Sequence, residues 1–292
     1  DQLRDEAAQA LAGTRKLYPR AEAVVHVSAM YHPLHELCLC TDKSALPVAA
    51  WPVSLQPLTS EISWFLREQR IKREIAVLGT IEDEVSVAVR SQYEDKPYPR
   101  RLRLPDMHRK NFGEWISAGN PHFEPPDFLQ RPIRLLVAGC RTGQEVISAH
   151  AEWDTSQILA IDLSQSSLAY AIRMAQASGI AGDIEFRQAD ILGLGNLPER
   201  YRSLDVICCG GVLHHMADPI DGWRILVDLL RPGGVMRVAL YSELSRSAVV
   251  EARKSLAQNH VHSTPDSIRR FRRDILMSKY PALNELQRSP DF

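Results

Sequence analysis

A chain of 292 residues with 45% hydrophobic content can bury the core of one large domain plus a smaller appendage, which excludes a largely disordered protein. Lys+Arg 35 against Asp+Glu 36, a formal net charge of -1, encodes no overall pull toward nucleic acid or an anionic membrane, so neither is an expected partner. No apolar stretch reaches the roughly 18 residues that span a bilayer, and no basic segment with an apolar core opens the chain; a cytoplasmic protein is expected.

The chain opens on Asp1 rather than methionine, as a fragment would. Residues 1–90 read as a helical N-terminal region, with helix-like spacing from Glu61 to Glu74, interruptions at Pro47, Pro52 and Pro57, and nothing that alternates like a strand. Within it His32, His35, Cys38 and Cys40 crowd together, but their spacing fits no strong zinc template and Cys-x-Cys places two thiols badly on a helix, so no metal is expected. Residues 91–132, rich in proline, arginine and aromatics, read as an extended linker or lid whose Tyr93, Tyr98 and Arg100 are candidates to close over a ligand.

Residues 133–292 read as the main domain, because strands and helices then alternate: strand 134–138, helix 143–151, strand 157–162, helix 165–178, strands 184–188 and 205–209, helix 219–230 and strand 235–240. That order implies an α/β fold with a Rossmann-like, doubly wound and mostly parallel sheet. Ser164 suits a helix N-cap with Gly179 at the other end, and Asp218-Pro219 suits the cap and first position of the next helix. Cys208 and Cys209, adjacent in a core strand among five cysteines, argue for reduced thiols. After Leu240 the chain reads as helical to its end, without strands to finish the sheet. The run Arg269, Arg270, Phe271, Arg272, Arg273, with Asp266 and Asp274 beside it, reads as a solvated helix face.

The segment IRLLVAGCRTGQ, Ile133 to Gln144, is an apolar strand ending in a turn with Gly139 and Gly143, where the backbone can approach a ligand and the next helix begins. Cys140, Arg141, Thr142 and Gln144 complete that loop. Asp162, at the end of the second strand with Leu163 after it, lies 19 residues beyond Gly143 and suits both hydroxyls of a ribose. Asp190, at the end of the third strand, suits an adenine amino group, with Ile191 or Leu192 over the ring. Gly210 and Gly211 end the fourth strand and leave room beside the reacting centre, with His214 and His215 just past it. A dinucleotide-binding oxidoreductase shares the first two features, but G-C-R-T-G-Q lacks the third glycine of that fingerprint.

These residues resemble class I S-adenosylmethionine (SAM)-dependent methyltransferases, which carry GCGTG, D-S, LHH and L-PGG motifs. More closely, the chain is similar to a bacterial methyltransferase group often fused to tetratricopeptide repeats. The likeness rests on Ala138-Gly139-Cys140, Thr142-Gly143-Gln144, Ile161 to Ser164, Ser167 to Ala171, Gln188 to Leu192, Gly211 to Met216, Leu240 to Glu243 and Gln92 to Arg100. It implies SAM as cofactor, S-adenosylhomocysteine as product, and methyl transfer to a small molecule or a protein.

Two departures stand out. The family's middle glycine is Arg141, which in a left-handed backbone would cost roughly 1–2 kcal/mol unless it pairs with the methionine carboxylate of SAM. The chain also ends at Ser289-Pro290-Asp291-Phe292, where relatives continue, so missing C-terminal strands are expected. Both leave a catalytically impaired SAM-binding or interaction module as the alternative. Methyl transfer is an in-line displacement needing few side chains; if the acceptor must lose a proton, His214 and His215 are the nearest bases, against a reading in which they only shape the loop.

Overall fold

The computed structural model describes residues 2–12, 19–29, 53–95, 97–100, 110–242, 244–259, 261 and 264–288. They fall into two compact units, Asp1–Val238 and Ala239–Phe292. The set His32, His35, Cys38 and Cys40, and the terminal Ser289 to Phe292, lie outside the described residues.

In the first unit, helices α1 (Gln2–Ala12), α2 (Pro19–Ala29), α3 (Gln56–Glu74), α4 (Glu84–Asp95) and α5 (Phe112–Gly119) precede the sheet. There follow β1 (Ile133–Ala138), α6 (Gln144–Glu152), β2 (Thr155–Asp162), α7 (Gln165–Ala177), β3 (Ile184–Gln188), β4 (Leu204–Gly210), α8 (Pro219–Leu229) and β5 (Leu230–Ala239). The strand order is β3-β2-β1-β4-β5, and the pairs β1–β2, β1–β4 and β2–β3 are parallel. This is the Rossmann-like sheet expected, and the order reverses direction between β1 and β4, which opens a crevice at the carboxyl ends of those strands.

The central strands are apolar at nearly every position because both faces are covered. Alternate residues point to opposite sides. Leu135, Val137, Ile158, Ala160, Val206 and Cys208 pack under α6 and α7 through Val146, Ala149, Leu168, Ala171 and Ala175. Leu136, Ala138, Leu159, Ile161, Ile207 and Cys209 pack under α8 through Leu226 and Leu229, with Leu194, Leu197 and Tyr201 beside them. Each Leu, Ile or Val among them, fully buried, contributes roughly 1.5–3 kcal/mol, so the register of the sheet is fixed from both sides.

Three elements differ from the sequence expectation. Residues 91–132 are not simply an extended surface segment: 91–95 finish α4, and 112–119 form α5, capped by Asn111. Phe112 of α5 stacks on Trp115 and meets Trp153 edge-on at a centroid distance of 4.9 Å, so this stretch belongs to the core. The helical N-terminal region is present, but Val77 makes a parallel bridge with Gln188. Leu78 N–H donates to the Gln188 carbonyl (2.8 Å) and Gln188 N–H to the Ala76 carbonyl (3.0 Å), covering the open edge of β3. Finally, β5 begins at Leu230, not 235, and takes in Pro232-Gly233-Gly234. Proline lacks an N–H for the ladder, which an edge strand tolerates.

The second unit contains α9 (Ser247–Gln258) and α10 (Pro265–Leu276). Ala252, Ile275 and Leu283 form its buried centre, with Phe271, Tyr280 and Leu286 against them. Thr264 and Ser267 form a capping box at the start of α10. Arg269, Arg270, Arg272 and Arg273 are all exposed, with Arg269 paired to Asp266.

Candidate functional site

The crevice at the carboxyl ends of β1–β4 holds a cavity lined by Gly139, Arg141, Asp162, Leu163, Asp190, Ile191, Gly211 and His215, with Tyr93, Ser86 and Val89 of α4 on the facing side. Its empty space is about 660 Å³, counting what is open to solvent.

The turn after β1 is shaped by its glycines. Gly139 has φ 74 and Gly143 φ 87, a region open mainly to glycine. A Cβ on Gly139 would stand 2.2 Å from Val212 Cγ2, and one on Gly143 would stand 2.7 Å from the Ala171 Cβ. Both therefore also allow close packing. Arg141 shares the left-handed conformation at φ 51 although it carries a Cβ.

Asp162 closes this turn. Its Oδ2 accepts from the Arg141 N–H (2.8 Å) and its Oδ1 from the Ser164 N–H (2.9 Å). Each oxygen keeps a second lone pair for the cavity. Burial pushes the Asp162 carboxyl up to about 6, against the pull of those two amides and of Arg141. Asp190, fully buried, accepts from the Leu192 N–H (3.0 Å) and caps the short helix that follows β3, so it is at once a turn aspartate and a cavity wall.

Three further amides of the loop are spent inside the protein. The Gly139 and Cys140 N–H groups donate to the Ile161 carbonyl (both 2.8 Å), and the Gly143 N–H donates to the Cys140 carbonyl (2.9 Å). A pyrophosphate bound at such a loop depends on free N–H groups, so this turn suits a nucleoside ligand without phosphate better than a dinucleotide.

Of the residues singled out from sequence, Gly139, Arg141, Asp162, Leu163, Asp190, Ile191, Tyr93 and His215 line one cavity. Cys140, Thr142, Gly143, Gln144 and Gly210 do not reach its lining. Cys140 is buried, with its thiol pushed up by desolvation, and the Thr142 hydroxyl donates to the Pro99 carbonyl. The place expected for Gly210 is taken by Gly211, because β4 runs one residue further than its apolar run suggests. His214 has its ring tilted against His215 at a centroid distance of 4.3 Å. Tyr98 is exposed, and Arg100 pairs with Glu68 (3.2 Å) beside a second, polar cavity. Ile161, Ser167, Ala189, Val212 and Met216 also line it, and Ser86 and Val89 do so without any motif to announce them.

The box around Tyr93 has a clear structural job. The Ser164 hydroxyl donates to the Tyr93 carbonyl (3.1 Å), and Glu94 accepts from the Gln165 N–H (2.5 Å), the Ser166 hydroxyl (2.7 Å) and Lys72 (2.5 Å). Glu94 thus caps α7 from outside, and its carboxyl is held low by Lys72 and Ser166 in spite of burial. That pin sets the Tyr93 hydroxyl 3.5 Å from His215 Nε2 at the cavity.

Residues 136–236 match the family model of the methyltransferase domain. An uncharacterized protein of Synechococcus is 34% identical over 193 residues, covering 61% of this chain and 42% of that protein. A ubiquinone biosynthesis O-methyltransferase of Marinobacter nauticus is 29% identical over 114 residues, covering 39% of this chain and 46% of that enzyme. The chain thus spans less than half the length of either relative. Among solved structures, an S-adenosylmethionine dependent methyltransferase from Mesorhizobium loti aligns at 26% identity and a TM-score of 0.32, over 43% of this chain and 52% of that one. The matched stretch is thus similar to methyltransferase domains. It runs from within β1 to within β5 and, with the exception of the α4 residues, includes the lining of the cavity.

Proposed function

We propose that this protein transfers a methyl group from SAM to an acceptor at the cavity between β1–β4 and α4. The observation that carries the reading is the placement of Asp162 and Asp190, at the ends of β2 and β3, on one cavity with the Gly139 turn inside the segment that matches the methyltransferase domain. Asp162 would hold the ribose hydroxyls, Asp190 the adenine amino group, Ile191 and Leu163 the faces of the ring, and the Gly139–Gly143 turn the amino-acid end. When bound, SAM supplies an electrophilic methyl group on a positively charged sulfur. The protein's own contribution is alignment and exclusion of water by α4.

His215 sits at the cavity with Tyr93, and is the base if the acceptor gives up a proton; His214 and Gly211 shape the loop around it. The Tyr93 hydroxyl donates to Nε2 only when that nitrogen carries a lone pair, the form that takes up a proton. The acceptor is a small molecule or a protein. No helix among the described residues is long and apolar enough to cross a membrane, and no cluster among them would hold a metal; we expect action in the cytoplasm without a metal. The likeness to the bacterial group often fused to tetratricopeptide repeats belongs to this reading. A second reading, a SAM-binding module without turnover, is favoured by the left-handed Arg141.

The test is transfer of labelled methyl from SAM across a panel of phenols, amines, thiols and small basic proteins. Label in any acceptor supports the enzyme. Tight SAM binding with no label anywhere selects the second reading.

A further inference from the structure

Charge is unevenly divided along the chain. The segment from Ala239 to Phe292, which forms the second unit, holds nine Lys and Arg against six Asp and Glu, whereas the rest holds 26 against 30. A whole-chain balance near zero therefore conceals a positive unit. The excess gathers at one helix: between Thr264 and Tyr280 stand Arg269, Arg270, Arg272, Arg273 and Lys279 against two carboxylates, Asp266 and Asp274.

The helix decides which way these charges face. At about 3.6 residues per turn, the four arginines of α10 fall within about 160° of its circumference. The opposite side carries Phe271 and Ile275, which pack into the centre of the unit. All four arginines are exposed, and at about 1.5 Å per residue the cluster is only about 6 Å long. Thr264 and Ser267 cap the start of the helix, so the face is held in place before any partner arrives.

The cluster works against its own helix. Arg269 and Arg273 lie at i,i+4, and Arg269 with Arg272 and Arg270 with Arg273 at i,i+3, spacings at which like charges repel. The carboxylates offset this in part. Asp266 takes Arg269 at 2.9 Å and Asp274 takes Lys279 at 2.7 Å, while Arg270 and Arg273 act on Asp274 more weakly. A negatively charged partner across the face relieves the repulsion that remains.

The neighbouring apolar groups select the kind of partner. Leu276 and Met277, 56% and 63% exposed, stand at the C-terminal end of the arginine face. A lipid surface would take a continuous apolar row, yet the row of α10 is turned inward through Phe271 and Ile275. A nucleic-acid strand with unpaired bases matches both parts. Its phosphates accept from the guanidinium forks, and its bases have flat faces to lay on the guanidinium planes and on Leu276 and Met277. A duplex keeps those faces stacked inside.

We propose that the arginine face of α10 binds the phosphate backbone of a single-stranded nucleic acid. The inference does not rest on the methyltransferase reading, because the face lies outside residues 136–236 and its test needs no cofactor.

The full chain is titrated against a fluorescent mixed-sequence RNA of about 12 nucleotides, read by anisotropy. The same strand annealed to its complement, and sedimented vesicles of phosphatidylserine and phosphatidylcholine, are the rival partners. The single strand is expected to bind most tightly. Between about 50 and 200 mM salt, log affinity should fall against log salt with a slope of about -2 to -3, as three or four phosphate contacts require. Arg270→Gln and Arg273→Gln should each flatten that slope by about 0.7, and changing all four arginines to Gln should cost at least tenfold in affinity. Asp266→Asn, which removes a competing carboxylate, should bind more tightly. Arg131→Gln combined with Arg224→Gln, exposed cations of the first unit, should change nothing. Failure to bind the strand, tighter binding to the duplex or the vesicles, unchanged slopes in the α10 variants, or an equal loss in the first-unit variant overturns the proposal. The melting temperature of the fourfold variant should hold or rise as repulsion is removed; if it falls, the slopes of the single variants decide.

Discussion

Two positions show how single residues set the site. Gly139→Ala forces a side chain into a backbone with φ 74 and onto Val212. We expect it to destabilise the domain by about 2–4 kcal/mol through strain and overpacking and to abolish cofactor binding, both readable by urea unfolding and calorimetry. Asp162 carries a pH dependence. Its folded pKa of about 6 lies above the ordinary value of 3.8, so the ionised form is the penalised one. The stability this group contributes is full below pH 4 and is lost as pH rises through 6. Ribose hydroxyls favour the ionised form, so ligand binding runs the other way. S-Adenosylhomocysteine affinity is expected to be level above pH 7 and about tenfold weaker at pH 5, as linkage to a group titrating near 6 requires. Glu94 and Arg141 face the same carboxyl with opposite effects, and His215 also lines the cavity. The dependence should survive His215→Gln and vanish in Asp162→Asn; persistence in the latter assigns it elsewhere.

At the scale of elements, the helices before the sheet are held to α7 by polar pins. Glu68 accepts from Arg173 (2.8 Å) and Arg100 (3.2 Å), and Arg173 lies over the rings of Trp64 and Tyr170. Both Glu68 and Arg173 are buried. Removing one partner leaves an uncompensated buried charge, so Glu68→Ala is expected to lower stability by about 3–5 kcal/mol. The same measurement on Glu94→Ala should show a loss of about 1–2 kcal/mol, since a cap and a part-buried pair are involved. The second variant carries a functional consequence: it frees α4, which brings Tyr93, Ser86 and Val89 to the cavity, and should weaken cofactor binding while leaving the sheet intact. Retained affinity would show that α4 is held by its apolar contacts alone.

For the whole molecule, the sheet and the strand-end side of the cavity are legible in the sequence, and the α4 side is not. Runs bounded by Gly139, Asp162, Asp190 and Gly211 mark both the strands and the carboxyl ends that open on the cavity. The bridge at Val77 has no sequence signal since one paired residue leaves no period, and the start of β5 is hidden since Pro232 reads as a break. Ser86 and Val89 line the cavity by virtue of tertiary packing, which spacing along the chain does not encode. Arg100 resembled a lid residue, yet its partner Glu68 lies 32 positions away.

A nucleoside-binding cavity built on Asp162 and Asp190 is best tested by calorimetric titration of the full chain with SAM and S-adenosylhomocysteine, with NAD as control. We expect micromolar binding of the first two, no binding of NAD, and a loss of at least tenfold in Asp162→Ala. Binding of NAD in their place, or SAM binding that is indifferent to Asp162, would overturn the proposed site.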